Sequence, residues 1–256
     1  MKLTSLAFQT DIALLRMGGS QVVDRGDHQV IRSPHNPSYW WGNFLLVEQV
    51  PGPESCASWL DRFAATFPAA EHVALGFDGT AGKSSDLDWF AERGYDVVVS
   101  TVMTATKVHE PATVNREASY RRLYSDSDWS QSVELRIRCE DRQLQPVDFR
   151  DFVTARTRTN RQITEAGQGG WFGAFIEDRL VAHMGLLAAS PELARFQTVE
   201  TDPQYRRRGL AGSLVYHVSE YGFSQLGAHT LVMVADPDYF AINLYQSVGF
   251  RATETQ

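Results

Sequence analysis

Val199-Glu200-Thr201-Asp202-Pro203-Gln204-Tyr205-Arg206-Arg207-Arg208-Gly209-Leu210-Ala211-Gly212 is the stretch on which the reading of this chain turns. Val199 to Thr201 end a strand and Asp202-Pro203 make a turn. From Gly209 onward Leu210, Leu214, Val218 and Tyr221 step by four, four and three, the spacing of a helix laid on a sheet. Three arginines therefore precede a helix N-terminus, where the dipole already presents positive charge. A bound anion reverses the sign of that local field. Gly209, Ala211 and Gly212 lack bulk and leave room for a phosphate to approach backbone N–H groups. Taken alone, the segment also fits an arginine-rich solvated turn.

Outward from this stretch, Trp171 to Ile176 and Leu180 to Ala188 form a predicted hairpin across Glu177-Asp178-Arg179, and Arg195 to Thr201 adds a third antiparallel strand. A polar strand around Tyr120 to Tyr124 and two helices, Trp129 to Cys139 and Asp148 to Ala166, precede them, with Gly169-Gly170 ending the helical stretch. Downstream, Leu231 to Ala235 reads as a buried strand. A helix from about Tyr239 to Val248 buries Ala241, Leu244, Tyr245 and Val248, Gly249 closes it, and a short strand starts at Gly249-Phe250.

Two motifs at matching separation carry a family resemblance. Arg206-x-x-Gly209-x-Ala211 resembles the Q/R-x-x-G-x-G/A pyrophosphate loop of the general N-acetyltransferase (GNAT) superfamily, and the preceding V-x-T-x-P-x-Y run is typical of it. Asp238 to Phe250 is similar to the family's N-x-x-A-x-x-L-Y-x-x-x-G-F. The resemblance extends over roughly Tyr120 to Phe250. It implies an α/β (α+β) fold, a mixed and mainly antiparallel sheet with helices on both faces. It also implies acetyl-CoA as co-substrate, with the pyrophosphate on the backbone of Arg206, Arg207, Arg208, Gly209, Leu210, Ala211 and Gly212 and the pantetheine along Val199 and Thr201. Tyr245 matches the family tyrosine that protonates the departing thiolate, a step that needs a neutral O–H donor beside the sulfur. Asp238 stands where the family has Asn and is expected at the coenzyme.

The base that takes the acceptor's proton has more than one reading. Glu200 adjoins the predicted pantetheine strand, yet strict alternation puts Arg195, Gln197, Val199 and Thr201 on one face and Glu200 on the other. It is either the base or a solvated, ion-paired carboxylate. His183, on the preceding strand, is a second candidate and equally the kind of lone histidine that serves structure. Glu134, Trp129 and Trp171 are candidates for lining an acceptor pocket, with helix-face and core roles as the alternative.

Asn43 to Thr106 repeats the order of Arg195 to Gln256: strand, helix, strand, helix, strand. Gly94-Tyr95 matches Gly249-Phe250, and four positions before each glycine stand Phe90 and Tyr245. A hairpin from Gln21 to Arg32, turning at Asp24-Arg25-Gly26-Asp27, comes before the repeat. Where the second half has its arginine loop, the first has Pro51-Gly52-Pro53-Glu54-Ser55, with Ser55 as the expected N-cap of a helix from about Ala57 to Phe67. Two prolines remove two N–H donors there. The chain thus reads as two tandem GNAT-like halves, 1–115 degenerate and incomplete and 116–256 catalytic. Lys107 to Ser119, where apolar periodicity fails, reads as the linker. Only six residues follow Phe250, short of the family's final strand pair. Asp96 to Thr106 is expected to supply the neighbouring sheet edge.

Composition narrows the function classes further. Lys+Arg of 24 against Asp+Glu of 31 leaves a net charge of −7, which argues against a nucleic-acid surface and confines anion binding to a local site. Cys56 and Cys139 are too few for a zinc cluster or a disulfide framework, so no metal is expected and the cytoplasm is the expected compartment. The apolar run after Lys2 is interrupted by Gln9, Thr10 and Asp11, and no stretch matches a membrane span. The expected partner is a small-molecule or peptide amine, with no nucleic acid and no membrane, and the chain a monomer or homodimer. The expected activity is acetyl transfer to a primary amine; a non-catalytic acyl-CoA-binding module is the alternative.

Overall fold

Ser5 begins the fold, accepting a hydrogen bond from the Ala7 amide at 3.1 Å and capping a helix, α1 (Leu6–Met17), that the apolar pattern of the sequence did not reveal. The polar residues that interrupt the pattern belong to it: Thr10 donates back to the carbonyls of Leu6 and Ala7, and Gln9 to those of Leu3 and Thr4. Phe8, Ile12 and Leu15 form its core face. The computed structural model describes residues 1–140, 146–237 and 241–256.

β1 (Gln21–Asp24) and β2 (His28–Arg32) form the expected hairpin. β3 (Phe44–Val47) pairs antiparallel with β2 and parallel with β4 (Leu75–Phe77), giving a sheet of order β1-β2-β3-β4. Between β3 and β4 lies α2 (Pro53–Thr66), which starts earlier than expected. Gly52, not Ser55, is its N-cap, and Pro53 takes the first turn, where a missing N–H is harmless. All four β3 residues are buried, in one core with Phe8 and Ile12 of α1 and Trp59 and Phe63 of α2. The short α3 (Asp88–Ala91) follows, then β5 (Thr101–Ala105), shorter at its start than the sequence pattern indicated.

The second sheet is built from β6 (Ser119–Arg122), β7 (Gly169–Ile176), β8 (Arg179–Ala188), β9 (Leu193–Thr201), β10 (Thr230–Ala235) and β11 (Arg251–Thr255), with β5 among them. Its order is β11-β5-β10-β9-β8-β7-β6, so β5 stands in the neighbouring position expected of Asp96 to Thr106. Pairing from β6 to β9 is antiparallel and β9 with β10 is parallel. The β7–β8 turn is two residues, Glu177 and Asp178, at φ 46° and 63°, the left-handed pair that a tight hairpin demands. Helices α4 (Asp126–Cys139), α5 (Pro146–Glu165), α6 (Leu210–Ser224) and α7 (Ala241–Gln246) complete the set. Met1–Val102 with Val234–Pro237 and Thr253–Gln256 form one compact unit, and Met103–Met233 with a segment ending at Ala252 form the other. The fold is the mixed α/β class anticipated, with two sheets for two halves. No helix among the described residues is long and apolar enough to cross a membrane.

α4 is anchored at its start by Asp128, which is 4% exposed. Ser125 and Asp128 exchange hydrogen bonds in a capping box, at 3.1 and 3.2 Å. Asp128 also accepts both arms of Arg121 at 2.8 Å and the Tyr124 amide at 3.0 Å. The Arg121 guanidinium, helped by these amides, holds the carboxyl well below the usual carboxylate range. A depressed folded value means stabilisation that is complete above the unfolded carboxyl's pKa and lost as pH falls through the folded one. Asp128→Asn is expected to lower stability to urea at neutral pH by about 1.5–3 kcal/mol, the worth of charge-assisted bonds. Its deficit against the parent should shrink progressively below about pH 4.

Candidate functional site

The two edges of β9 are paired unequally. Toward β8 its ladder runs from Ala194 to Thr201, but toward β10 the register covers only Leu193↔Thr230, Ala194↔Leu231 and Arg195↔Val232. From Phe196 to Thr201 the strand therefore runs past its last β10 partner. Val199 and Thr201, the expected pantetheine contacts, lie half-buried on this stretch.

Within the same stretch Thr198 takes a φ of 50°, and the β8–β9 register slips by one residue: Gly185 opposes Gln197, whereas His183 opposes Glu200. The extra residue is a β-bulge, and it reverses the alternation beyond it. Glu200 therefore shares a face with Gln197, which corrects the strict alternation read from the sequence. That face is covered by α4. Glu200 Oε2 lies 3.0 Å from His183 Nε2, and Arg136 donates to Oε1. His183 Nδ1 lies 2.8 Å from Ser132 Oγ, and Arg136 Nη2 reaches Glu140 at 3.5 Å. Cys139 donates to the Thr201 carbonyl at 3.4 Å, and burial, reinforced by the Glu200 charge, pushes its thiol up to about 12. Glu134 is not in this cluster; it sits in an exposed pair with Arg150 at 2.5 Å. Trp129 and Trp171 are core residues with rings 6.4 Å apart, and the Trp171 ring stands edge-on to His183 at 6.1 Å.

Beyond Thr201 the chain turns on Asp202, a buried carboxylate that accepts from Arg138 at 2.9 Å, Arg179 at 3.1 Å and the Gln204 amide at 3.0 Å. The three arginines that follow have different surroundings. Arg206 Nε donates to the Thr201 carbonyl at 3.2 Å, Arg208 is paired with Glu117, and Arg207 is exposed at a φ of 61°. Gly209, at φ 74°, is the N-cap of α6, and no side-chain hydrogen bond caps that helix. A Cβ on Gly209 would stand 2.6 Å from the Thr113 carbonyl oxygen, and one on Gly212 3.3 Å from Pro111. Part of the space their small size leaves is thus filled by the chain itself. Asn115 ties this arrangement together, donating from its amide to Ser213 Oγ and from Nδ2 to the Arg208 carbonyl, each at 2.9 Å.

Tyr245 is buried on α7, its ring 6.5 Å from Phe250, which in turn packs 5.8 Å from Phe196 of β9. Phe250 N donates to the Tyr245 carbonyl at 3.1 Å, across Gly249 at φ 117°. The first half closes its matching helix in the same way: Tyr95 N donates to the Phe90 carbonyl at 3.2 Å across Gly94 at φ 82°, with rings 6.2 Å apart. There the hydroxyl sits on the other ring of the pair. Asp238 lies outside the described residues. Among the described residues no group of three or more His, Cys, Asp or Glu is placed to hold a metal ion.

Residues 133–250 match the family model described as the acetyltransferase (GNAT) family. This part of the chain is a GNAT domain. In fold, the whole chain is similar to a functionally unknown conserved protein from Staphylococcus epidermidis (TM-score 0.72, 10% identity, covering 92% of this chain and 91% of that one). It is also similar to a GCN5-related N-acetyltransferase from Kribbella flavida (TM-score 0.61, 15% identity, 98% and 94% covered). A third likeness is to a tandem GNAT protein from the clavulanic acid biosynthesis pathway (TM-score 0.58, 11% identity, 94% and 85% covered). No curated protein matches the chain in sequence.

Several residues that shape the GNAT domain escaped the reading of the sequence. Asn115 and Thr113 fall in the segment read as linker, and nothing in their spacing links them to the arginine loop. Ser132, Arg136 and Glu140 were legible in principle, because they recur every four residues and so form a polar stripe along α4. The loop geometry yields a paired prediction. Gly227, also left-handed at φ 68°, has open space around a Cβ, whereas Gly209 does not. Gly227→Ala should cost about 1–2 kcal/mol in urea unfolding from backbone strain alone. Gly209→Ala should cost about 2–4 kcal/mol, because strain and overpacking add.

Proposed function

We propose that the GNAT domain transfers an acetyl group from acetyl-CoA to the primary amine of a small molecule or peptide, by direct attack. The observation that carries this reading is the β9 edge from Phe196 to Thr201, which outruns its β10 register and leads into the loop from Arg206 to Gly212. A pantetheine arm carries amide groups that suit such an edge beside Val199 and Thr201. A pyrophosphate suits a helix N-terminus with no side-chain cap, flanked by Arg206, Arg207 and Arg208 and followed by Gly209, Leu210, Ala211 and Gly212. Asp238 belongs to the same proposed contact set.

Glu200 is the proposed base and Tyr245 the proposed acid. Glu200 takes a proton from the acceptor ammonium, the freed lone pair attacks the thioester carbonyl, and Tyr245 protonates the departing thiolate, regaining its proton from the new amide nitrogen. The two approach from different sides. Phe196, through which Tyr245 and Phe250 reach β9, opposes Leu186, and Leu186 lies against Gly222 of α6, whereas Glu200 faces α4. The end of β10 pairing is where both faces would meet one thioester. A cysteine route through an acyl-enzyme is disfavoured, since the Cys139 thiol, at about 12, stays protonated.

Replacing Arg206 and Arg207 by Ala should weaken CoA binding about tenfold by calorimetry, the loss of one or two charge-assisted bonds. Unchanged affinity would remove the loop from the coenzyme site. Tyr245→Phe deletes a hydroxyl and little volume. With a panel of primary amines and thiol release as readout, its kcat should fall roughly 100- to 10,000-fold while acetyl-CoA affinity shifts less than about threefold. Tight CoA binding by the parent protein with no amine turned over would instead mark a binding module.

A further inference from the structure

We propose that His183 is a positioning residue for Glu200, with its own tautomer set by Ser132, so that the carboxylate is held ready to receive the acceptor's proton. This inference rests on the acetyl-transfer reading and adds a residue to it. The bulge at Thr198 comes first, because it alone brings Glu200 opposite His183 on the α4 face. A three-member chain then runs outward from the interior. Ser132 is 2% exposed and His183 1% exposed, while the Glu200 side chain, at 14%, is the member that reaches solvent.

The direction of this chain decides its chemistry. A serine nucleophile activated by histidine has its hydroxyl at the solvent end and its carboxylate inside. Here the carboxylate is outermost and the hydroxyl is on the buried face of α4, so substrate meets Glu200. Both imidazole nitrogens are occupied, at 2.8 Å by Ser132 and at 3.0 Å by Glu200. With Ser132 donating to Nδ1, the neutral ring carries its proton on Nε2 and donates it to Glu200 Oε2. Arg136 donates to Oε1, and each carboxylate oxygen keeps a second lone pair for an ammonium N–H. The step moves one proton: the acceptor N–H bond breaks, a Glu200 O–H bond forms, and the nitrogen lone pair is released for attack.

The charged and titratable groups around Glu200 are identifiable from each neighbouring element. α4 contributes Arg136, Glu140 and Cys139, β8 contributes His183, and the end of β9 and its loop contribute Asp202, already paired with Arg138 and Arg179, and Arg206. α5 presents the Phe149 ring to the Arg136 guanidinium at 5.3 Å. His183 donates to Glu200 Oε2 through Nε2, and its removal deletes that hydrogen bond to the carboxylate.

The test uses the full chain, acetyl-CoA and whichever amine of the panel the parent protein acetylates best. His183→Ala should lower kcat about 10- to 100-fold, part of what a general base contributes, with the KM for acetyl-CoA within about threefold. The acidic limb of its kcat–pH profile should move to higher pH. His183→Gln keeps an N–H donor and should recover both the rate and the limb to within about threefold of the parent. Glu200→Gln should lose the acidic limb, its residual rate climbing with pH as solvent deprotonates the amine. If His183→Ala and His183→Gln lose activity alike and neither moves the limb, His183 is structural and the inference fails while acetyl transfer stands. A parent protein that acetylates no amine overturns both readings together.

Discussion

β9 keeps β8 along one edge but loses its β10 register after Arg195. Main-chain N–H and C=O groups on a strand edge need partners, and a central strand cannot leave them dry and unpaired. Two of the carbonyls on this stretch already have side-chain donors, Phe196 from the Gln197 amide and Thr201 from Arg206. Beyond this stretch the chain leads into the three arginines Arg206, Arg207 and Arg208. The bulge at Thr198 lies on the same stretch, where a strand no longer held on both edges can take an extra residue and twist. The orientation of Glu200 toward α4 depends on this bulge.

The tandem relation is visible in what the first half retains. It keeps the antiparallel hairpins and one parallel pair, β3 with β4, as the second keeps β9 with β10. It also keeps the helix closure at Gly94, whose hydrogen bonds match those at Gly249. The chemistry-bearing features are the ones that differ: the turn after β3 leads to Pro53 rather than to arginines, and Phe90 occupies the place of Tyr245. Phe90 packs between Phe77, Trp89 and Tyr95, a purely apolar role. Between the two halves, packing features agree where polar ones differ.

Much of this was legible because it depends on local chemistry. Periodicity reveals α6, the Glu177-Asp178 turn reveals the β7–β8 hairpin, and paired motifs reveal the GNAT domain. Two kinds of feature were not legible. Polar residues interrupt the apolar pattern of α1, and its start depends on a cap by Ser5 that local spacing does not mark. The partners of Glu200 and of the arginine loop are the other kind: Arg136 and His183 lie 64 and 17 residues from Glu200, and Asn115 lies 98 residues from the Ser213 it binds. Strict alternation fails in β9 for a definite reason: a single left-handed threonine, with no glycine to announce it, inverts the strand.

Cys139 has a consequence for the fidelity of the proposed reaction. Its sulfur lies against the carbonyl of Thr201, at the end of the strand where a thioester would be held. A thiolate there would compete with the amine by thioester exchange and leave the enzyme acylated on itself. Burial and the charge of Glu200 keep the thiol up at about 12, so at neutral pH the neutral S–H form dominates and exchange is slow. Burial first, and the charge of the proposed base second, thereby protect the enzyme from self-acylation while leaving the amine free to react.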